Sequence, residues 1–248
     1  MFTTRYIIIF ILVLTASVAV GLTGLREVTK NKAAQNEDIF NKRAILSAVE
    51  DYLPDGKKVS DLSDQEVAAI FAEMEQPVLN MEGEVVEGMQ AEKVDMAKER
   101  KKPEAERLLP LFIYEHNGEK FYILSVRGKG LWDEIWGNVA LKNDGNTIAG
   151  AAFDHKGETP GLGAEIKDNP AFPGQFEGKK IYENGEYVSV KVRKGGAKDD
   201  DEHGVDAISG ATVTSDGVTE MLYRGIKYYQ PYLKEIQQSD KTQGMLRK

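Results

Sequence analysis

The chain has 248 residues, 41% hydrophobic and 29% charged, so it can form one sizeable domain plus an anchor or a small second domain, and wholesale disorder is excluded. Its net charge of −8 argues against nucleic-acid binding, because neutralising phosphates needs a basic face. The absence of cysteine excludes disulfides, thiolate-held iron–sulfur clusters and zinc sites built on sulfur, so any redox function must come from an organic cofactor.

The amino-terminal segment predicts a membrane span. Residues 6–25 (YIIIFILVLTASVAVGLTGL) carry no charge. As a helix rising about 1.5 Å per residue, such a run reaches roughly 30 Å, the thickness of a bilayer's hydrocarbon core. A cleaved signal peptide is the competing interpretation, but the apolar run is longer than usual and no clear small-x-small cleavage site follows. We expect residues 1–26 to form an uncleaved anchor that contacts lipid through residues 6–25. Basic residues flank both sides and do not settle its orientation.

Residues 27–107 predict a helical, charged connecting region. Apolar spacing over residues 36–53 favours one amphipathic helix, which Pro54 to Gly56 stops. Ser63 with Glu66 three residues later predicts the capping box of a second helix. The charged stretch 82–107 is typical of a solvated linker or exposed helix, with a docking surface for partner subunits as the alternative.

From Leu108 the pattern changes to strands. Apolar and polar residues alternate around three turn signals, at Asn117-Gly118, Asp144-Gly145 and Asn184-Gly185. Such dipeptides favour tight hairpins, so residues 108 to about 195 predict a mostly antiparallel sheet.

A final helix is expected from about Ser215 until Pro231 interrupts it. The prediction is an α+β fold, in which an N-terminal transmembrane helix precedes a domain whose mostly antiparallel sheet is flanked by helices. The domain is expected at residues 108–235, with a C-terminal tail at residues 236–248.

The segment that joins the sheet to this helix consists almost entirely of small residues and hydroxyls. Residues 206–215 read DAISGATVTS. Such residues commonly cap helices and form tight turns, so an ordinary helix cap is one interpretation. In the other, a threonine hydroxyl above Gly210 and Ala211 is open to a modifying enzyme. A phosphate attached there would lie near the first N–H groups of the helix, with Ser209 and Thr214 as further hydrogen-bond donors.

The run DAISGAT resembles the flavinylation motif of FMN-binding domains, in which the last threonine forms a phosphoester with FMN. In this chain that residue is Thr212. The resemblance implies that FMN is covalently bound here, that Asp206 assists the flavin transferase or the turn, and that the acceptor site is shaped by Ser209, Gly210 and Ala211. We expect Thr212→Ala to abolish covalent FMN and Thr214→Ala to retain it.

Two more segments extend the resemblance. Residues 127–132 (RGKGLW), continuing through Trp136-Gly137, and residues 155–163 (HKGETPGLG) resemble the C subunits of sodium-translocating NADH:quinone oxidoreductases. By itself ETPGLG is also typical of a Pro-Gly turn, and tryptophans more often pack in cores than against flavins. Glycines equally let backbone amides approach a flat ring. The candidate FMN contacts in these segments are Trp132, Glu158, Thr159, Gly161, Leu162 and Gly163.

The function implied by this resemblance is electron relay. The chain has no GxGxxG fingerprint for binding NADH itself. The family implies that its FMN takes electrons from an iron–sulfur partner and passes them to a membrane flavin subunit and finally to quinone, coupled to sodium export. It also implies a bacterial inner-membrane protein with its N-terminus in the cytoplasm and its flavin domain in the periplasm, matured by a flavin transferase.

Alternatives remain open at this point. The related ferredoxin:NAD electron-transport complex has a subunit with ETPGLG-like and SGAT-like segments, although GKGLW and the long insert after the anchor favour the sodium pump. An anchored, cofactor-free assembly or binding protein would use SGAT only as a helix cap. Hydrolase chemistry ranks last, because no GxSxG elbow accompanies the histidines. No catalytic residue or metal site is predicted, since His116, His155 and His203 are scattered.

Overall fold

The computed structural model describes residues 3–246, and the side chains of residues 3–238. It divides into two compact units at Lys42 and Arg43. The fold class predicted from the sequence is confirmed: a long apolar N-terminal helix precedes a mostly antiparallel sheet with flanking helices.

The first unit consists of most of helix α1. The complete helix runs from Thr4 to Leu46 and so extends four residues past the boundary at Lys42. Its most apolar 18-residue window has a mean hydropathy of 2.5, and none of that window is buried inside the protein. By length and composition α1 is able to cross a membrane. A signal sequence near the N-terminus would have the same length and composition. The sequence predicted two helices here, an anchor and a second helix over residues 36–53. One continuous helix is present instead, because residues 27–35 contain no proline or glycine to end it.

The centre of the second unit is a five-stranded antiparallel sheet of order β1-β2-β3-β4-β5. The strands are Val78–Leu79, Leu109–His116, Glu119–Lys129, Glu134–Leu141 and Ile148–His155. The predicted hairpins are confirmed, and Asn117 and Gly118 adopt positive φ angles of 53° and 79° in the first of them. Strand β1 is only two residues long, too short to leave a pattern in the sequence.

Both faces of this sheet are covered. One face packs on the region after α1, where Val49, Val67 and Phe71 meet Phe112 and Ile123 in one apolar cluster. The other face packs on the last part of the chain in a second cluster. Part of the region expected to connect the anchor to the domain therefore contributes to the core on the first of these faces.

That region consists mostly of short turns. Helix α2 (Asp64–Glu73) begins with the predicted capping box, in which Ser63 Oγ accepts from Glu66 N at 3.2 Å and Glu66 Oε2 accepts from Ser63 N at 2.8 Å. Lys57 and then Ser63 lower the pKa of the Glu66 carboxyl to about 2. The remaining elements are 3₁₀ turns and one short helix: Ser47–Tyr52, Pro54–Gly56, Val59–Asp61, Ala91–Lys93, α3 (Met96–Glu99) and Glu104–Glu106.

After the main sheet the chain forms small elements. These are α4 (Glu165–Asp168), α5 (Ala171–Gly174), the antiparallel pair β6 (Tyr182–Glu183) and β7 (Glu186–Tyr187), and the parallel pair β8 (Lys191–Arg193) and β9 (Gly204–Asp206). The sheet predicted to continue to residue 195 ends at His155, and residues 182–193 pair separately. The Asn184-Gly185 hairpin is nevertheless present between β6 and β7.

Two helices end the described chain, α6 (Thr212–Tyr228) and α7 (Gln230–Leu246). Helix α6 begins three residues before the predicted start at Ser215, so Thr212 is its first residue rather than part of the preceding turn. The two helices separate at Tyr229, just before Pro231, because proline cannot supply the N–H that would continue α6. The buried hydroxyl of Tyr229 bonds to carbonyl oxygens of β2 and β3, 2.8 Å from that of Pro110.

Candidate functional site

The three segments singled out in the sequence, residues 127–132, 155–163 and 206–215, come together at the same end of the main sheet. Strand β3 ends opposite the start of β4, with Lys129 paired to Glu134, and β5 ends beside it, with His155 paired to Ile135. The turn 130–133 and the loop that follows β5 therefore lie at one edge of the sheet. Helix α6 packs on the same sheet, and its first turn meets that loop through Thr214.

Glu158 joins these segments. Its side chain is 5% exposed, and its carboxylate accepts hydrogen bonds from the N–H groups of Leu131 (3.2 Å), Trp132 (3.0 Å) and Asp133 (3.3 Å). Its Oε2 also accepts from the hydroxyl of Thr214 at 2.8 Å. A buried carboxylate is retained only when it is well bonded, and here one carboxylate ties the turn after β3 to the start of α6.

These bonds also hold the charge on Glu158. Burial alone would raise the pKa of its carboxyl, but the N–H of Trp132 and the hydroxyl of Thr214, with the other two N–H groups, outweigh burial and lower that pKa below its usual range. Glu158 is therefore an anion at neutral pH.

Two glycines fit against this pair. Gly163 has a φ of 146°, and a Cβ there would collide with the hydroxyl of Thr214 and lie 2.7 Å from its Cβ. A Cβ at Gly130 would lie 2.6 Å from Glu158 Oε1. At these two positions the absence of a side chain serves the contact between Glu158 and Thr214.

Glu165 was missed in the sequence. Its carboxylate accepts from the N–H groups of Gly161 and Gly163, which fixes the PGLG turn, and Thr159 closes the same turn by accepting from Leu162 N at 2.9 Å. The N–H of Gly161, more than any other group, lowers the pKa of Glu165. The available signal was an acidic residue just after a glycine-rich turn.

Thr212 lies at the surface as the first residue of α6. No side chain caps this helix, and its N-cap residue is Ala211. Among the residues of α6, all of which the structure describes, the first whose N–H has an acceptor is Ser215, which donates to Ala211 O at 2.9 Å. The N–H groups of Thr212, Val213 and Thr214 are thus left for an anion, which the helix dipole favours.

The other motif residues surround this point. Ser209 and Gly210 form an exposed turn, and a Cβ at Gly210 would lie 2.9 Å from the carbonyl oxygen of Gly161. Asp206 accepts from the N–H of Ala197 at 2.7 Å, and its own N–H donates to Gln175 at 2.8 Å. Asp206 thus anchors the loop before the turn.

Exposed apolar side chains belong to the same segments. Trp132 is 61% exposed, Val213 52% and Leu162 40%. Trp136, by contrast, is half-buried under the guanidinium of Arg127, 4.9 Å from the ring centroid. An open hydroxyl, uncapped N–H groups and unburied apolar surface fit a phosphate that carries a flat apolar ring.

A metal centre would require several histidine or carboxylate side chains close together. Within residues 3–246 no group of three or more histidine, aspartate or glutamate side chains is arranged to hold a metal. The histidines lie apart: His116 stacks on Tyr114, His155 accepts from Glu158 N, and His203 contacts Lys180 O.

Comparison with solved structures decides the family. The structure of NqrC, the C component of Na(+)-translocating NADH-quinone reductase, from Parabacteroides distasonis is 37% identical, covers 82% of this chain and 96% of its own, and has a TM-score of 0.71. This chain belongs to the NqrC family. The structure of Shewanella oneidensis NqrC is similar at 26% identity and a TM-score of 0.70, covering 81% of this chain and 98% of its own.

Sequence comparisons agree. Residues 130–227 match the model of the FMN-binding domain, a range that contains Glu158, Thr212 and Thr214. The corresponding C component from Vibrio alginolyticus is 44% identical over 120 residues, 48% of this chain and 46% of the relative. That of Neisseria meningitidis is 46% identical over 116 residues, 46% of this chain and 44% of the relative. The chain thus spans about half the length of the curated relatives that it matches.

Proposed function

We propose that this chain carries FMN joined through its phosphate to the hydroxyl of Thr212. The observation that supports the choice of residue is the difference among the hydroxyls of α6. Thr214 and Ser215 are fully buried, and they bond to Glu158 and to the N–H of Ile208 (3.4 Å), whereas Thr212 is exposed. Thr212 is therefore the hydroxyl of this first turn that a modifying enzyme can reach.

The attachment is a transfer of a flavin phosphate to an alcohol. Thr212 Oγ1 bonds to the FMN phosphorus of a flavin dinucleotide, the bond between that phosphorus and the bridging oxygen breaks, and a nucleoside monophosphate leaves. The hydroxyl proton goes to solvent or to a base of the transferase. No electrons change hands. The free N–H groups at the start of α6 then hold the phosphate oxygens, a stabilisation typically worth about 0.3–1 kcal/mol per charge at an exposed helix end.

The residues around Thr212 have distinct parts in this proposal. Bound FMN supplies one-electron redox chemistry. Glu158 and Glu165 fix the turns beside it through backbone N–H groups. Trp132, Leu162 and Val213 are placed to exclude water from the ring, and Asp206 keeps the motif loop in place.

We propose that the whole protein relays electrons within a sodium-translocating NADH:quinone reductase. Its FMN would take electrons from an iron–sulfur partner and pass them to a membrane flavin subunit and then to quinone. Membership of the family and the absence of a nucleotide fingerprint support a relay rather than direct oxidation of NADH. Deletion of the chain is expected to abolish sodium-dependent NADH:quinone activity in membranes, and full retention of that activity would refute the relay.

The same proposal places the protein in the bacterial inner membrane. Helix α1 would span the bilayer and contact lipid through residues 6–25, with the N-terminus in the cytoplasm and the flavin domain with its transferase in the periplasm. A cysteine introduced at the exposed position Ser60 should react with a membrane-impermeant thiol reagent in whole cells, since the chain has no other cysteine. Labelling only after lysis would reverse the orientation.

Mass spectrometry of the native chain tests the cofactor assignment. A peptide containing Thr212 is expected to carry the mass of an FMN phosphoester, and denatured protein should fluoresce in gels. Thr212→Ala should remove both signals. An intact adduct on that variant would move the attachment to another residue.

A further inference from the structure

Glu158 lies beneath the exposed start of α6 rather than on it. We propose that Glu158 is a positioning residue for flavin attachment, which directs the modification to Thr212 by binding the hydroxyl of Thr214. This inference rests on the proposed attachment to Thr212.

Helical geometry separates the two threonines. Successive residues of an α-helix are rotated by about 100°, so Thr212 and Thr214 point about 200° apart on α6. Glu158 holds the Thr214 hydroxyl inward at 2.8 Å. Fixing one threonine inward turns the other toward solvent.

The side chain that holds Thr214 is itself rigidly placed. Glu158 is bonded to three consecutive N–H groups of the turn 131–133, which belongs to the hairpin of β3 and β4. The first turn of α6 is thereby tied to the main sheet through one side chain. The orientation of Thr212 no longer depends on the exposed Ser209-Gly210 turn alone.

Thr214 is also the nearest competing acceptor. Its hydroxyl has one hydrogen, which is donated to Glu158, and its side chain is fully buried, with Oγ1 also 3.2 Å from Leu162 O. Gly163 packs so closely that even a methyl group would collide with it. An incoming flavin nucleotide cannot reach this oxygen while the contact holds.

This geometry sharpens one expectation from the sequence. The variant Thr214→Ala was expected to retain covalent FMN. The acceptor hydroxyl remains in such a variant, but its positioning contact is lost. Attachment should therefore continue at Thr212 and become slower.

The experiment follows attachment to the full-length chain, made without flavin, after addition of purified flavin transferase and flavin dinucleotide. In-gel fluorescence gives the initial rate, and tandem mass spectrometry gives the modified residue. Thr214→Val, which keeps the shape but not the hydroxyl, should be modified about tenfold more slowly, as expected for a misplaced reacting group. Thr214→Ser keeps the hydroxyl and should be modified at nearly the parent rate.

Glu158→Gln tests the other partner. It should be slowed to a similar degree, and part of its adduct should appear on Thr214. The double variant Glu158→Gln with Thr214→Val should be no slower than the slower single variant, because both changes break the same contact. Glu220→Gln makes the same chemical change on the exposed face of α6 and should match the parent.

The positioning role of Glu158 and its selection between the two threonines are tested by different results. A parent-like rate for Thr214→Val, or an equally slow Thr214→Ser, would overturn the positioning role. An adduct confined to Thr212 in Glu158→Gln would overturn the selection between threonines. Thermal unfolding monitored by circular dichroism checks each fold, and if Glu158→Gln does not fold, the two Thr214 variants decide. Failure of the proposed function would look different, since the parent chain itself would carry no FMN on Thr212.

Discussion

Helices α2 and α6 begin in opposite ways although serine or threonine lies at both starts. At α2, Ser63 and Glu66 cap each other's backbone N–H groups. At α6 no side chain caps the first turn, and the nearby hydroxyls of Thr214 and Ser215 are used inside the fold. Serine and threonine at the start of a helix can therefore belong to a closed start, in which a side chain caps the first turn and adds stability, or to an open start that accepts an anion. The hydrogen-bond partners distinguish the two.

The largest change in the free energy of unfolding is expected at Gly163, where the open start of α6 depends on close packing. Gly163→Ala should lower the free energy of unfolding by about 2–4 kcal/mol, because the added methyl group collides with Thr214 at a φ of 146°. Denaturant unfolding of the flavin-free chain measures this. Gly157→Ala is the matched control in the same loop, since nothing lies within 4 Å of a Cβ there. Equal stabilities for the two variants would contradict the packing argument.

A somewhat smaller change in the free energy of unfolding is expected at Glu158, and this change should depend on pH. The folded-state pKa of Glu158 is lowered, so its contribution to stability is fully present above the unfolded-state pKa and is lost as pH falls through the folded value. At pH 7, Glu158→Gln should cost about 1.5–3 kcal/mol, the usual value of hydrogen bonds to a charged group. The difference between the parent and the variant should shrink as the pH falls below 4.5, the ordinary pKa of a glutamate carboxyl. A difference that grows in acid would contradict the assigned sign.

The closed start predicts a smaller change of a different kind. Ser63→Ala should lower the free energy of unfolding by about 1 kcal/mol, the usual cost of losing a helix cap. Flavin attachment should be unchanged, because α2 packs on the face of the sheet opposite to α6. Ser60→Ala, an exposed serine nearby, is the control and should have little effect. Loss of covalent flavin in Ser63→Ala would remove the distinction between the two helix starts.

Local features of this fold were predictable from the sequence. The capping box at Ser63 and the Asn117-Gly118 turn depend on residues within three positions of each other. Contacts between distant residues were not. Glu158 and Thr214 are 56 residues apart; Thr214 was proposed as a hydrogen-bond donor to a phosphate and Glu158 as a flavin contact, and neither was predicted to bond to the other. Because their bond depends on how two elements meet at the sheet edge, no local pattern contains it.

The start of α6 is a second feature that the sequence pattern did not predict correctly. Spacing of apolar residues placed the helix at Ser215, since Thr212 and Val213 are exposed and add nothing to its buried face. The three missing residues are those whose free N–H groups and hydroxyl form the candidate site. A functional helix end is difficult to predict because its residues are not selected for packing.

The smallest change in stability is expected at the residue with the largest proposed role. Thr212→Ala should alter the free energy of unfolding of the flavin-free chain by no more than about 0.5 kcal/mol, because its side chain is exposed and alanine favours helices. The same variant should lose all covalent FMN, the reverse of Ser63→Ala. Denaturant unfolding and mass spectrometry on one preparation measure both effects. A loss of stability above about 1 kcal/mol would mean that Thr212 helps to hold α6 as a cap does, and the start of α6 would then resemble that of α2.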